Sequence, residues 1–339
     1  MVRDIVKRFY CTYFDRNYLA RGFALIDSLR ENSEEPWRLF VICMDDESQS
    51  ILDQFALPNV VVFSIEQIEA ADPELVAAKN DRNRIEYLWT TTPAIILWLI
   101  ENHPEIDILT YLDADLYFFS SPEPIFAELE GSSVLIHEHR YAPELKDMEI
   151  NGKYNVGLLC FRNDARGMRA LRWWRERCIG SCHLDIKTGK CGDQMYLNDW
   201  PERFSGVHVL EHKGAGIAPW NVDQFDIQLE NGRVVVEDAL LIFYHFHSLR
   251  VIGPETFRLA YRFYIRDDVA RLIYRPYTRA LTSAMESIRR VRPSFHFAFS
   301  KPSLVERCWD ILFQSWRVSR LIAAVRQLTR ARYQCSAST

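Results

Sequence analysis

The sequence predicts an α/β fold: a mixed, mostly parallel sheet, doubly wound, with helices on both faces. Three observations predict it. Apolar runs of strand length alternate with segments of helical period over the first 250 residues. Several runs are nearly unbroken in Val, Ile, Leu and aromatic residues, as in parallel strands covered on both faces. One of them, Ile106 to Leu112, delivers two carboxylates, Asp113 and Asp115, to its C-terminal edge.

Residues 7–14 read as a first strand, and Asp15 to Arg30 as a helix with Leu19, Phe23, Ile26 and Leu29 near helical period. Arg38 to Met44 is a buried strand, Ser48 to Phe55 a short helix, and Asn59 to Phe63 a third strand. Arg84 to Ile100 is helical, with Thr92-Pro93 as either a kink or a fresh start. After the strand ending at Asp113 come strands at Ser132 to Glu138 and Tyr154 to Phe161. A helix spans Asp164 to Cys178, another begins at Asp193, and Val207 to Leu210 and Leu240 to Phe246 are late strands. Helical, arginine-rich text is expected from Glu255 onward. The division is therefore 1–254 for the α/β domain and 255–339 for a basic helical extension.

Composition narrows the function. The 339 residues are 48% hydrophobic and 13% aromatic, enough for a large core. A net charge of −5 argues against nucleic acid as a partner. The charge is uneven. From Glu255 on there are sixteen Arg or Lys against six Asp or Glu, so this segment is near +10 and the rest near −15. Such asymmetry suggests either a surface-binding tail directed to an anionic membrane or a helical subdomain packed onto the acidic core. No signal peptide and no run near the roughly 20 apolar residues of a bilayer span is visible. The eight cysteines are scattered, so a reducing cytoplasm is expected, with peripheral attachment at the membrane's inner face.

Asp113-Ala114-Asp115 carries the chemistry. Paired carboxylates suit Mg²⁺ or Mn²⁺, and such a cation commonly also holds substrate phosphates. A phosphatase of the haloacid-dehalogenase type also places D-x-D after a strand, but near the chain start and with Thr or Val soon after. Here Leu116-Tyr117 follow, about a hundred residues in. The bland alternative is two acids ending a strand by chance.

Other motifs stand in order around it: Thr12-Tyr13-Phe14-Asp15 with Tyr18, then Asn155-Val156-Gly157, Asp193-Gln194, Trp220-Asn221 and His245. The set resembles GT-A-fold nucleotide-sugar glycosyltransferases, and family 8, the retaining group that includes glycogenin, in particular. It covers about residues 7 to 250. The resemblance implies a metal-dependent transfer of a hexose from a UDP-sugar to a saccharide or glycolipid acceptor, with retention of configuration. It implies Asp113, Asp115 and His245 as metal ligands, with His247 as rival to His245. Thr12, Tyr13, Phe14, Asp15 and Tyr18 fall where the family holds uracil and ribose. Arg82 and Arg84 are candidate phosphate clamps. Asn155, Gly157, Trp220 and Asn221 would border the sugar, and Asp193 and Gln194 the reacting face. If the enzyme inverts instead, Asp193 is the candidate base. The family's phosphate lysine after the late His is missing, and Arg250 or Lys213 is expected to supply that charge.

Two readings remain beside these. A non-catalytic nucleotide-sugar-binding protein would share the fold. Cys178, Cys182, His183 and Cys191 are a loose candidate for zinc, with ordinary thiols as the alternative.

Overall fold

The computed structural model describes residues 8–34, 36–185, 190–260 and 263–301. One compact unit comprises residues up to 249 together with 258–297. A second comprises 250–257 and residues from 298 onward. The motifs above fall in the first unit, except Arg250, which belongs to the second. Trp309, Leu312, Phe313 and Trp316 of the basic extension lie outside the described residues, as does Tyr261.

Seven strands are labelled in chain order: β1 (Arg8–Phe14), β2 (Trp37–Cys43), β3 (Val60–Ser64), β4 (Ile108–Leu112), β5 (Leu116–Phe118), β6 (Val134–Glu138) and β7 (Tyr154–Arg162). All but β5 enter the central sheet, with Val207–Val209 at one edge. The order is Val207–Val209, β6, β7, β4, β1, β2, β3. β1 runs parallel to β2 and β4, β2 to β3, and Val207–Val209 to β6. Only β7 runs antiparallel, against both β4 and β6. The sheet is thus mixed but mostly parallel, as the near-continuous apolar runs predict.

Helices cover both faces, and β1 shows how its residues divide between them. Phe9 and Cys11 join the core beneath the helix Arg84–Asn102, with Ile95, Ile96 and Leu99. Phe14 turns to the other face, under the helix Leu19–Asn32, where a Cβ on Gly22 would fall 2.3 Å from its ring. Gly22 therefore lets helix and strand approach. The sequence also places stop and start signals where the helices need them. Asp164 accepts hydrogen bonds from the amides of Arg166 and Gly167 and so caps Ala165–Gly180. Such a cap contributes about 1 kcal/mol. Asn83 and Glu86 form a reciprocal cap on Arg84–Asn102.

Three expectations are corrected. The helix Arg84–Asn102 runs unbroken through Pro93. The hydroxyls of Thr90, Thr91 and Thr92 bond to the carbonyls of Glu86, Tyr87 and Leu88, one turn back around the proline. The segment after Asp193 is a single 3₁₀ turn, Gln194–Leu197, not a helix. The chain after Glu255 opens as a strand: Thr256–Arg258 forms a two-stranded sheet with Arg250–Gly253. Helix returns at Asp267–Val269, passes through a π-helical stretch at Ala270–Tyr274 and continues as the longer helix Arg275–Val291. This helix buries Tyr277, Leu281, Ala284, Met285 and Ile288 and packs against Leu19–Asn32. Among the described residues no helix is long and apolar enough to cross a membrane.

Candidate metal centre

A long-range strand pairing builds the site. β5 pairs antiparallel with Phe243–His245, and His245 stands opposite Leu116, the residue after Asp115. The amide of Phe246 donates to the Asp115 carbonyl at 3.0 Å, and that of His245 to Ile217 at 2.8 Å. On the other side the Asp113 amide donates to the Gly157 carbonyl on β7, at 2.8 Å. Three distant segments thereby place Asp113, Asp115 and His245 so that one ligand atom from each lies within 4.8 Å of the others. His245 Nε2 is 3.2 Å from Asp115 and 3.6 Å from Asp113.

Electrostatics within the trio are uneven. Burial opposes charge on Asp115, yet the adjacent His245 holds its carboxyl down at about 2, with His247 and Arg21 adding to the effect. Burial pushes Asp113 up, against the pull of His245 and with the repulsion of Asp115. Burial also works against protonation of His245, but Asp115 outweighs it and the imidazole is raised. Two carboxylates facing one imidazole, in a buried place, need a cation. The Tyr111 hydroxyl donates to Asp113 at 2.7 Å and fixes that side chain.

Behind the trio stands a closed wall. A Cβ on Gly157 would lie 2.6 Å from Asn155 Oδ1 and 2.9 Å from the His245 ring, so only glycine leaves room for both. The Gly157 amide donates to Asn155 Oδ1 at 2.9 Å, and Asn155 Nδ2 meets His139 Nε2 at 3.1 Å. His139 Nδ1 faces the Lys153 carbonyl at 3.3 Å. Burial keeps His139 neutral, with its pKa pushed down to about 3. A neutral ring in this setting carries its proton on Nδ1 and accepts at Nε2. Trp220 lies edge-on to His245, 5.4 Å between ring centres, and its indole N–H donates to the His139 carbonyl. Asn221 is fully buried. It accepts from Ala218 and donates to the carbonyls of His139 and Gly216. Both N–H groups of the Asn221 amide are used inside the protein, while Asn155 has one engaged with His139. Both residues hold the wall that seats His245.

The opposite side is open. Asp15 accepts from the amides of Asn17 and Tyr18 and pairs with Arg84, whose side chain is 66% exposed. Tyr18 is 43% exposed and lies within electrostatic reach of Asp115, Asp113 and Asp15. The Arg21 guanidinium stacks over the Tyr18 ring at 4.4 Å. Thr12 is buried and its hydroxyl has no hydrogen-bond partner. Phe14 is a packing residue under Gly22. Tyr13 donates to the Leu88 carbonyl, meets Thr92 at 3.0 Å and stacks on Tyr111, so it braces the site from beneath.

Asp193 is buried at the end of this brace. Burial, then the charge of Asp113, pushes its carboxyl up to about 8, against hydrogen bonds from its own and the Gln194 amide and from Thr92. Its backbone is held by the Trp174 indole, 3.0 Å from the Asp193 carbonyl. Gln194 donates its side-chain amide to Asn151.

Several expected contributors stand elsewhere. Arg82 donates to the carbonyls of Cys178 and Ile179 and closes the end of Ala165–Gly180, so it is no phosphate clamp. Lys213 is paired with Asp238. His247 packs on Trp220, and His245 is the histidine that completes the trio. Cys178 and Cys182 are buried free thiols, and His183 is taken by Arg82 and Glu86. The Cys191 side chain lies outside what is described. Among the described residues the trio is the one group suited to a metal. Sequence reasoning missed Tyr111, Thr92, His139 and Arg21. Only Tyr111, two residues before Asp113 on the same strand face, carried a usable signal.

No protein-family model matches the chain. The galactosyltransferase LgtC, solved with donor and acceptor sugar analogues, is similar in structure. The TM-score is 0.50 at 16% identity, over 81% of this chain and 95% of LgtC. That likeness, with the sheet order above, defines the fold as GT-A, the nucleotide-sugar glycosyltransferase fold. By sequence, the chain is 31% identical to the uncharacterized protein YfnD of Bacillus subtilis strain 168, over 86% of this chain and 94% of YfnD. It is 30% identical to YfnF of the same organism, over 86% and 97%. The chain belongs to the family of these two proteins.

Proposed function

We propose that this protein is a metal-dependent glycosyltransferase that moves a hexose from a UDP-sugar to a saccharide or lipid-linked acceptor, with retention of configuration. The observation that carries the reading is the pairing of β5 with Phe243–His245, which brings a late histidine onto both carboxylates of Asp113-Ala114-Asp115. The donor set fits Mn²⁺ or Mg²⁺: two carboxylates and an imidazole whose Nε2 faces both of them. When bound, the cation would supply charge stabilisation for a departing diphosphate.

The remaining roles belong to the protein's own groups. Asp15 and Arg84 form an ion pair beside the half-exposed Tyr18, a surface for the base and ribose. Tyr111 orients Asp113. Gly157 keeps the wall close to His245. Asp193 is buried near Asp113, and burial with that neighbouring charge pushes its pKa up to about 8. In retention the leaving phosphate oxygen receives the acceptor's proton and no carboxylate base is needed. The exposed Arg275, Arg279, Arg289 and Arg290 on the helix Arg275–Val291 suit an anionic membrane surface, where a lipid-linked acceptor would be met at the cytoplasmic face.

The test is release of UDP from a panel of UDP-sugars. Wild-type protein with Mn²⁺ is expected to hydrolyse at least one slowly, and Asp115→Asn to lose about a hundredfold or more of that rate while keeping its circular dichroism spectrum. Equal rates in the two proteins would remove the assignment. Tight UDP-sugar binding with no turnover toward any acceptor would make the protein a binding module.

A further inference from the structure

The chain lacks a lysine where the resemblance led us to expect one, and one of the two residues expected to replace it is already paired. Lys213 is engaged by Asp238 on an exposed rim. The structure offers another cation. Arg21 lies on the first helix, Leu19–Asn32. One of its Nη2 protons reaches the Leu249 carbonyl at 2.8 Å. Leu249 closes the turn that follows His245: its amide donates to Phe246, and the Phe246 amide donates to Asp115. Ser248 in this turn adopts a left-handed conformation, φ +62°. Arg21 is thus tied to the short loop that leaves the metal centre.

The guanidinium is held in place but not neutralised. It stacks on Tyr18 at 4.4 Å. Its Nε is buried without a hydrogen-bond partner, and it forms no ion pair with a carboxylate among the described residues. Its charge acts on Asp115. A guanidinium has five N–H donors, and the protein uses one of them. Arg21 is partly buried, its Nε has no hydrogen-bond partner, and leaving such a donor unmet is costly, so the site favours an incoming anion. A fork of N–H donors matches phosphate oxygens. The neighbourhood also selects the anion, because a divalent cation at Asp113, Asp115 and His245 favours a diphosphate over a lone carboxylate.

We propose that Arg21, stacked on Tyr18, binds the diphosphate of the nucleotide donor and takes the place of the missing lysine. This inference rests on the donor-site reading above. It assigns the diphosphate contact to the first helix rather than to the segment after His245.

The experiment is calorimetric titration of full-length wild type, Arg21→Met and Arg21→Lys with Mn²⁺ alone, then with UDP and UMP in saturating Mn²⁺. Arg21→Met is expected to bind Mn²⁺ within about threefold of wild type and UDP about 20-fold or more weaker, the range for a lost charge-assisted hydrogen bond. UMP should weaken far less, so the preference for UDP over UMP should nearly vanish. Arg21→Lys should recover part of it, since the charge remains but the fork does not. If Arg21→Met binds UDP as wild type does, the inference fails and the donor site stands. If Mn²⁺, UMP and UDP all weaken alike, Arg21 is a staple of the loop and the inference again fails. If wild type with Mn²⁺ binds none of UDP, ADP, GDP, CDP or dTDP, the donor-site reading falls and takes this inference with it.

Discussion

The two sides of the metal centre are built on opposite principles. On the β7 side nearly every polar group is satisfied from within: Asn155 by Gly157 and His139, Asn221 by Ala218, His139 and Gly216, Trp220 by His139. On the first-helix side the charges are partly exposed or unneutralised: Arg84 at 66% exposure, Tyr18 at 43%, Arg21 with an orphaned Nε. A closed polar wall fixes geometry, because each member's removal strands its partners. An open edge with unspent donors binds ligand. The polar residue types that a sequence marks as ligand contacts are thus divided between scaffold and surface, and only packing tells which is which.

The sharpest way to break the contrast is on the closed side. Gly157→Ala puts a methyl within 2.9 Å of His245 and 2.6 Å of Asn155 Oδ1. It should cost about 1–3 kcal/mol of stability from overpacking. It should also weaken Mn²⁺ binding by about tenfold or more as His245 is displaced. Unchanged Mn²⁺ affinity in a calorimetric titration would show that the wall does not position His245.

Asn221→Ala comes next. Three buried hydrogen bonds vanish and two carbonyls and an amide lose a partner. A loss of about 2–4 kcal/mol in denaturant unfolding is expected, at about 1–3 kcal/mol for each group left unsatisfied, less what relaxation recovers. Mn²⁺ affinity in the folded fraction should fall several-fold as well, because Asn221 shares the His139 carbonyl with Trp220, which packs on His245. A large, selective loss of UDP-sugar affinity with stability intact would return Asn221 to the ligand surface.

A slope with pH probes the buried acid beside the site. The Asp193 pKa is raised to about 8 in the folded protein, so its folded state holds a proton that the unfolded chain releases near pH 4. Its contribution to stability is full below pH 4 and is lost as pH rises through 8. Metal-free Asp193→Asn should therefore lose less stability than wild type between pH 5 and pH 8. Parallel stability profiles would show that Asp193 ionises normally.

Much of the scaffold was legible in the sequence because its signal is local. Runs such as Leu39 to Cys43 and Leu158 to Phe161 announce buried strands by composition alone. Asp113 and Asp115 were legible because two carboxylates ending such a run have few structural reasons to be there. His245 was reachable only through the order of motifs. Its partner strand lies some 125 positions earlier, and no local period encodes that pairing. Arg82 and Arg84 show the limit. They are two residues apart and alike in sequence, yet one is 1% exposed and closes a helix while the other faces solvent beside Asp15. Asp193 misled in another way, since a helix start is signalled by the same acid that here precedes a 3₁₀ turn. Arg21 gave no signal at all, being one arginine among many on a helix surface.

The central claim is that Asp113, Asp115 and His245 form one cation site made by the junction of β5 with Phe243–His245. Mn²⁺ titration, followed by the loss of the free-ion paramagnetic resonance signal, tests it most directly. Wild type should take up one Mn²⁺ per chain, more tightly as pH rises and His245 loses its proton. Asp115→Asn and His245→Ala should each bind about a hundredfold more weakly without unfolding. Binding of one Mn²⁺ with wild-type affinity by both folded variants would contradict the account.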